Sequence, residues 1–183
     1  NKKNITKMDI SERVHLGIRR SFQINNTFED FTVIENILIA IQSLGREAFI
    51  FSKPSFSEES FLLEAKNLIH FINLDNKQDH LVSSLSHGEK RLLEIGLTII
   101  GNPKLLILDE PLAGAGIHES KFIINMIKKL KKSVTILLIE HDMDAVFKLA
   151  DTITVLVDGK IIASGSKKEI SNNRKVKDAY LGS

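Results

Sequence analysis

Asp109 and Glu110 end the apolar run Leu105-Leu106-Ile107-Leu108 and are followed by Pro111. Two adjacent carboxylates closing a fully apolar strand are costly unless they are solvated, paired or bound to a cation. An aspartate at a strand end, where α/β sheets place ligands, suits holding Mg²⁺ through water, and the glutamate after it suits polarising an attacking water. The same two residues could instead cap the strand end or pair with a lysine. A second apolar run, Leu137 to Ile139, leads into Glu140, His141 and Asp142. An imidazole there can contact a phosphate or orient water, or simply sit on the surface. The other histidines, at 15, 70, 80, 87 and 118, show no partner spacing and read as surface residues. In "LSHGEKR" (85–91), Ser86 and Glu89 form a Ser-x-x-Glu capping box around His87 and Gly88. The helix N-terminus so made presents backbone N–H groups that favour an anion, phosphate especially; it is also what an ordinary capped helix looks like. Gln23 follows an extended segment and alone says nothing.

These residues need elements to hold them. Residues 9–18 read as a short helix and 19–23 as extended chain. Thr32 and Glu35 make another capping box, opening a helix with Ile34, Ile37, Leu38 and Ile41 on one face. Pro54 and a serine-rich stretch at 52–57 break the chain, and a helix restarts with Ser57 as its N-cap. Residues 75–84 read as polar loop, and 87–100 as a helix stopped by Gly101, Asn102 and Pro103. Strand 104–109, helix 117–132, strand 134–139, helix 142–150 and strand 152–157 then alternate, a βαβαβ pattern that implies a mostly parallel sheet. Asp158-Gly159 predicts a tight hairpin turn with an antiparallel return at 160–163, followed by two short helices.

Composition narrows the classes. The 183 residues suffice for one domain with a real core. A net charge of +2 implies no strong field for nucleic acid or membrane. Without cysteine there is no disulfide, no thiolate metal site and no thiol nucleophile, which fits a reducing compartment. No apolar run approaches the ~20 residues needed to span a bilayer, so a membrane role is expected to be peripheral.

Taken in order, Gln23, "LSHGEKR", "LLILDEP" (105–111) and His141 resemble the ATP-binding cassette (ABC) ATPases. Gln23 matches the Q-loop, "LSHGE" the signature usually written LSGGQ, "LLILDEP" the Walker B motif with its following glutamate, "LAGAG" (112–116) the D-loop and His141 the switch histidine. "GIRRSFQ", "FEDFTVIENILIA", "IEHDMDAVFKLADTITVLVDGKIIASG" and "VKDAYLG" are similar to the branched-chain amino acid type of importer ATPase, with urea and amide importers close by. Lipopolysaccharide-export ATPases share the "YLG" ending and are less similar in the Q-loop and "EHDM" regions. ABC ATPases of DNA repair usually carry coiled-coil or zinc insertions that this sequence lacks, and no nucleic-acid partner is expected.

The resemblance implies an α/β fold: a partial P-loop NTPase (RecA-like) parallel sheet with an inserted α-helical subdomain, lacking the N-terminal strands and P-loop. Residues 1–23 would be a core segment ending in the Q-loop and 24–85 the helical subdomain. Residues 86–183 would hold the signature helix, Walker B, D-loop, switch histidine and C-terminal hairpin and helices. It also implies ATP and Mg²⁺ as cofactors. Asp109 would hold Mg²⁺ through water, Glu110 would be the general base and His141 would contact the γ-phosphate. Gln23 would touch Mg²⁺ and water. Ser86, His87, Gly88 and Glu89 would meet the ATP of a second ATPase subunit, homo- or heterodimeric, with Ala113 and Gly114 in the D-loop. Permease subunits and, indirectly, a periplasmic binding protein would complete the partners, on the cytoplasmic face of the cell membrane. His87 stands where the signature usually has Gly and Glu89 where it has Gln. Gly116 and Ile117 stand where the D-loop usually has Asn or Asp and Pro, which bears on its contacts across subunits.

The sequence contains no G-x-x-x-x-G-K-[ST], the backbone nest and lysine that grip the β- and γ-phosphates. In the family that loop precedes the Q-loop, and the chain, starting at Asn1 without Met, reads as a piece of a longer protein. Strands left without neighbours would expose an edge, so self-association or a marginal fold is expected. A non-hydrolytic interaction piece is the alternative to a working ATPase. The expectation is that these 183 residues alone bind ATP weakly or not at all and do not hydrolyse it; micromolar affinity by isothermal titration calorimetry would contradict this.

Overall fold

The computed structural model describes residues 4–21, 27–45 and 58–181. They belong to two compact units, one within Asn1–Ile139 and the other within Glu140–Ser183.

In the first unit a short helix α1 (Ile10–His15) leads into strand β1 (Ile18–Arg20). Asp9 caps α1, accepting the Glu12 N–H at 2.7 Å while the Glu12 carboxylate accepts the Asp9 N–H at 3.0 Å. Helices α2 (Val33–Gly45) and α3 (Glu58–Phe71) pack on one another. The capping box expected at α2 forms: Glu35 N–H donates to Thr32 Oγ1 at 3.3 Å, and Glu35 Oε2 accepts the Thr32 N–H at 2.7 Å. The buried stripe of α2 is Val33, Asn36, Ile37 and Ile41, with Ile34 and Leu38 half-buried, a slight rotation from the expected face. Asn36 is the reason. Its Oδ1 accepts the Phe28 N–H at 2.8 Å, and its Nδ2 donates to the carbonyls of Phe28 at 3.0 Å and Thr32 at 2.9 Å, so a polar side chain is drawn inward to hold the preceding loop.

The stretch 75–84, expected as polar loop, contains two 3₁₀ turns, Asp75–Lys77 and Val82–Ser84, with Val82 fully buried. The Val82 N–H donates to the Phe31 carbonyl and the Ser83 N–H to the Glu29 carbonyl, fastening the stretch to the entry of α2. Ser57, expected to cap α3, lies outside the described residues. Helix α4 (His87–Ile99) passes so close to the end of α3 that a Cβ on Gly96 would lie 3.0 Å from Cγ2 of Ile72, the residue after that helix. Gly101 (φ +76°) and Asn102 (φ +50°) turn the chain out of α4 in the left-handed region, as their residue types foretell.

Strands β1, β2 (Leu105–Asp109) and β3 (Thr135–Ile139) form a parallel sheet in that order, with α5 (Ile117–Leu130) connecting β2 to β3. The register pairs Arg20 with Ile107 and Asp109 with Ile139. Leu106 and Leu108, on one face of the central strand, are fully buried, and Leu105 and Ile107 on the other face are half-buried.

In the second unit α6 (Met143–Leu149) is followed by β4 (Ile153–Val157), β5 (Lys160–Gly165), α7 (Lys167–Asn172), α8 (Arg174–Val176) and a π-helical turn at Lys177–Leu181. The βαβαβ expectation fails here for β4, which pairs antiparallel with β5 in a separate two-stranded sheet. Asp158 (φ +48°) and Gly159 (φ +71°) make the expected tight turn. That turn brings β5 beside β4, and the alternation of buried Ile153 and Val155 with exposed Thr154 and Leu156 is that of a half-buried hairpin strand. Ile153, Val155, Ile170 and Val176 form its core, flanked by Met143, Val146 and Phe147.

Two of the cap glutamates are favoured in their charged form by their caps. The Thr32 backbone N–H and then its hydroxyl hold Glu35 below the ordinary 4.5, and Ser166 does the same for Glu169. A carboxylate whose folded-state pKa is depressed contributes stability above its unfolded value and loses it as pH falls through the folded value. In a ¹³C carboxyl titration both should therefore titrate below pH 4.5. The fall of the urea midpoint below that pH should be shallower in Glu35→Gln and Glu169→Gln than in the parent.

Candidate functional site

The strand-end acids are fixed from three directions. β1 supplies Arg20, whose Nη2 donates to Asp109 Oδ2 at 2.9 Å, and the residue after it, Ser21, has an Oγ that accepts the Asp109 N–H at 3.1 Å. Asp109 is 9% exposed, while the Arg20 side chain is 59% exposed. β3 supplies the carbonyl of Ile139, which accepts the Glu110 N–H at 2.9 Å. α4 supplies Arg91, whose Nη2 donates to the carbonyls of Asp109 and Glu110, each at 2.8 Å, and whose Nε donates to that of Pro111 at 3.3 Å. Glu110 itself has φ +46°, in the left-handed region that long side chains rarely adopt.

The helix N-terminus forms as the capping box requires. Ser86 Oγ accepts the Glu89 N–H at 3.2 Å, and Glu89 Oε2 accepts the Ser86 N–H at 2.8 Å. The Ser86 hydroxyl, used there as an acceptor, keeps its own proton to donate. Ser86 and His87 are exposed and Gly88 is buried. Against Gly88 lies Glu119 of α5: a Cβ on Gly88 would meet Glu119 Cγ at 2.5 Å. His87, Asp109, Glu110 and Ala113 line one cavity together with Lys90, Arg91 and Glu94. The structure thus brings four of the expected site residues around one space. Ala113 N–H donates to the Glu110 carbonyl at 3.1 Å, continuing the turn after β2. Gly114 (φ +71°) follows, with no atom within 4 Å of where a Cβ would stand.

His141 belongs to the second unit. Its side chain is 73% exposed, its backbone N–H donates to Glu140 Oε2 at 3.2 Å, and its ring Nδ1 lies 4.0 Å from that oxygen. Gln23 lies outside the described residues.

The donor set suits a hard divalent cation. Asp109 Oδ2 already holds a positive group, the Arg20 guanidinium, and a second carboxylate follows it directly. Magnesium is typically bound through one or two such carboxylates, with water and substrate phosphates supplying the rest. Two residues that the sequence did not single out shape the site, Arg20 and Arg91. Arg91 sits three residues after Gly88 and four after His87, on the same helical face, and that spacing was a legible signal. Arg20 reaches Asp109 through the parallel register of β1 on β2, which no local pattern encodes.

Three comparisons bear on this geometry. A family model described as ABC transporter matches residues 1–113. A probable branched-chain amino acid transport ATP-binding protein LivG of Archaeoglobus fulgidus is 37% identical over 183 residues, which cover 98% of this chain and 71% of that protein. The high-affinity branched-chain amino acid transport ATP-binding protein LivG of Escherichia coli is 37% identical, covering 91% of this chain and 68% of that protein. A solved ATP-binding cassette of an ABC transporter in its ADP conformation superposes with a TM-score of 0.79 at 32% identity, covering 99% of this chain and 74% of that one.

The contact between α4 and α5 yields a test. In Gly88→Ala the overpacking against Glu119, of order 1–3 kcal/mol, should exceed the helix-propensity gain of roughly 1 kcal/mol. Urea denaturation should show a net loss, and the double variant Gly88→Ala/Glu119→Ala should recover most of it.

Proposed function

The chain belongs to the ABC transporter family of ATP-binding proteins, which are ATPases, and from that premise we propose that it is the ATPase subunit of an importer for branched-chain amino acids or related small solutes. The observation that carries the reading is the end of β2. Asp109 and Glu110 lie together at the carboxyl end of a buried parallel strand, on a cavity shared with His87 of the signature helix. The names borne by the relatives support the solute class.

In this reading Asp109, whose Oδ2 now accepts from Arg20, would hold Mg²⁺. The ion, when bound, neutralises charge on the phosphates. Glu110, one residue on, takes a proton from the attacking water. Hydrolysis of this kind depends on positioning and electrostatics rather than covalent chemistry, and the hydrogen bonds to both faces of the Glu110 peptide serve that end. His141 would serve the γ-phosphate and Gln23 would serve Mg²⁺ and its water, as the family resemblance implies. The N-terminus of α4, with Ser86, His87, Gly88 and Glu89, meets the ATP held by a second ATPase subunit, which the dipole and free N–H groups of a helix start favour. Ala113 and Gly114 belong to the turn that approaches that subunit. Residues 24–85 act as the helical subdomain.

Permease subunits are the other partners. The exposed Phe28, Phe31 and Leu81 support an apolar contact there. Phe28 and Phe31 stack with ring centroids 5.5 Å apart, on the loop that Asn36 fixes. Among the described residues no helix is long and apolar enough to cross a membrane; in this reading the chain attaches at the inner face through the permease.

The test is made on the transporter assembled in membrane vesicles. Glu110→Gln should lower ATP turnover by about 10²–10⁴-fold, the usual contribution of a general base, while ATP binding persists. ATP-dependent uptake of radiolabelled leucine should fall with it. Turnover that survives in Glu110→Gln would refute the role given to Glu110, and turnover without leucine-class uptake would refute the solute class.

A further inference from the structure

We propose that Arg91 is the positioning residue of the Glu110 carboxylate: one guanidinium on the signature helix holds the backbone that aims the base. The proposal rests on the reading of Glu110 as that base.

Glu110 carries φ +46°. A non-glycine residue persists there only when its surroundings over-determine it. Hydrogen bonds grip its peptide groups on opposite sides, from its own N–H to the Ile139 carbonyl at 2.9 Å and to its carbonyl from Arg91 Nη2 at 2.8 Å, beside the Ala113 N–H of the following turn at 3.1 Å. The first comes from the neighbouring strand and would form with or without α4. The second is the contact that draws the Glu110 carbonyl towards α4.

The geometry of Arg91 suits this role. The guanidinium takes three consecutive carbonyls, those of Asp109, Glu110 and Pro111. Its side chain is 11% exposed, and its Nη1 donates to Glu94 Oε2 at 2.9 Å, a carboxylate one helical turn on and 12% exposed. The buried pair fixes the plane of the fork. Lysine, a point charge on a flexible stem, can reach one carbonyl but cannot reproduce a planar fork across three. A largely buried guanidinium with three hydrogen bonds to consecutive main-chain oxygens acts on backbone geometry. Because α4 begins at the Ser86–Gly88 terminus, that terminus is joined to the Glu110 peptide through the Arg91 side chain.

The test reads backbone rather than turnover, on the 183-residue protein by NMR. The φ of Glu110 is taken from its three-bond HN–Hα coupling and carbon shifts. Amide exchange is followed at Glu110 and Ala113, whose N–H donates to the Glu110 carbonyl, with Leu106 in the middle of β2 reporting global opening. In Arg91→Lys and Arg91→Gln, Glu110 should leave the left-handed region. Its amide and that of Ala113 should exchange about tenfold faster or more, with Leu106 changed by no more than about twofold, the mark of local rather than global opening. Arg91→Lys keeps the charge and most of the stem, so it carries the test if Arg91→Gln does not fold. Three outcomes overturn the proposal: a left-handed Glu110 in both variants, parallel acceleration of Leu106, or failure of both variants to fold, which would make Arg91 a general strut. Retained ATP turnover in Glu110→Gln would remove the role of the base and leave the backbone result standing, so the two failures are told apart.

Discussion

The carbonyls of Asp109, Glu110 and Pro111 converge on the guanidinium of Arg91, and the placement of both carboxylates follows from that convergence. The end of a strand normally frays into solvent, because its carbonyls have lost their ladder partners. Here the orphaned oxygens are collected by a charged donor with several N–H groups in one plane, and charge-assisted bonds of this kind are stronger than neutral ones. The burial of Arg91 is tolerable only because Glu94 and the main chain satisfy it so fully. β1 and β3 complete the frame through Ser21 and Ile139. The acids are thus held by sheet and helix together, at the point where the two layers meet.

The same economy governs the helix starts. Asp9, Thr32, Ser86 and Ser166 each cap a helix whose third residue is a glutamate reaching back to the cap. At α4 this device sets the helix terminus beside the strand-end acids while leaving the His87 and Gly88 N–H groups without a capping oxygen from Ser86, which serves Glu89. Glu119 closes the other side of Gly88, at a distance no residue with a Cβ would permit. The small residue at the start of α4 therefore has a packing reason within the chain. For an ATPase that works by holding phosphate, metal and water in place, rigidity at this junction is the property that the chemistry requires.

Much of this was legible before any coordinates. The capping boxes at Thr32 and Ser86, the stop at Gly101-Asn102 and the Asp158-Gly159 turn are local, and all formed as read. Their energies come from residues within four positions of each other, so sequence spacing is enough. The acids at 109 and 110 were legible as a pair out of place, and the order of motifs along the chain gave them a family, which the comparisons show. What failed was non-local. β4 reads as the next strand of a parallel series and instead joins a hairpin, because a tight turn settles its neighbour before a distant strand can. Val82, in a stretch that looks polar, is buried because Phe31 and Glu29 offer carbonyls to its neighbourhood.

The sequence by itself determined which residue types stand at the strand end, where each helix begins and which family the chain joins, since these depend on spacing along the chain. Only the tertiary structure decided what holds the acids. Arg20 reaches Asp109 across 89 positions and Arg91 reaches the Glu110 carbonyl across 19. No periodicity records a contact between separate elements. It exists because the parallel register and the docking of α4 bring two guanidinium groups to one strand end, and the backbone strain at Glu110 becomes bearable only there.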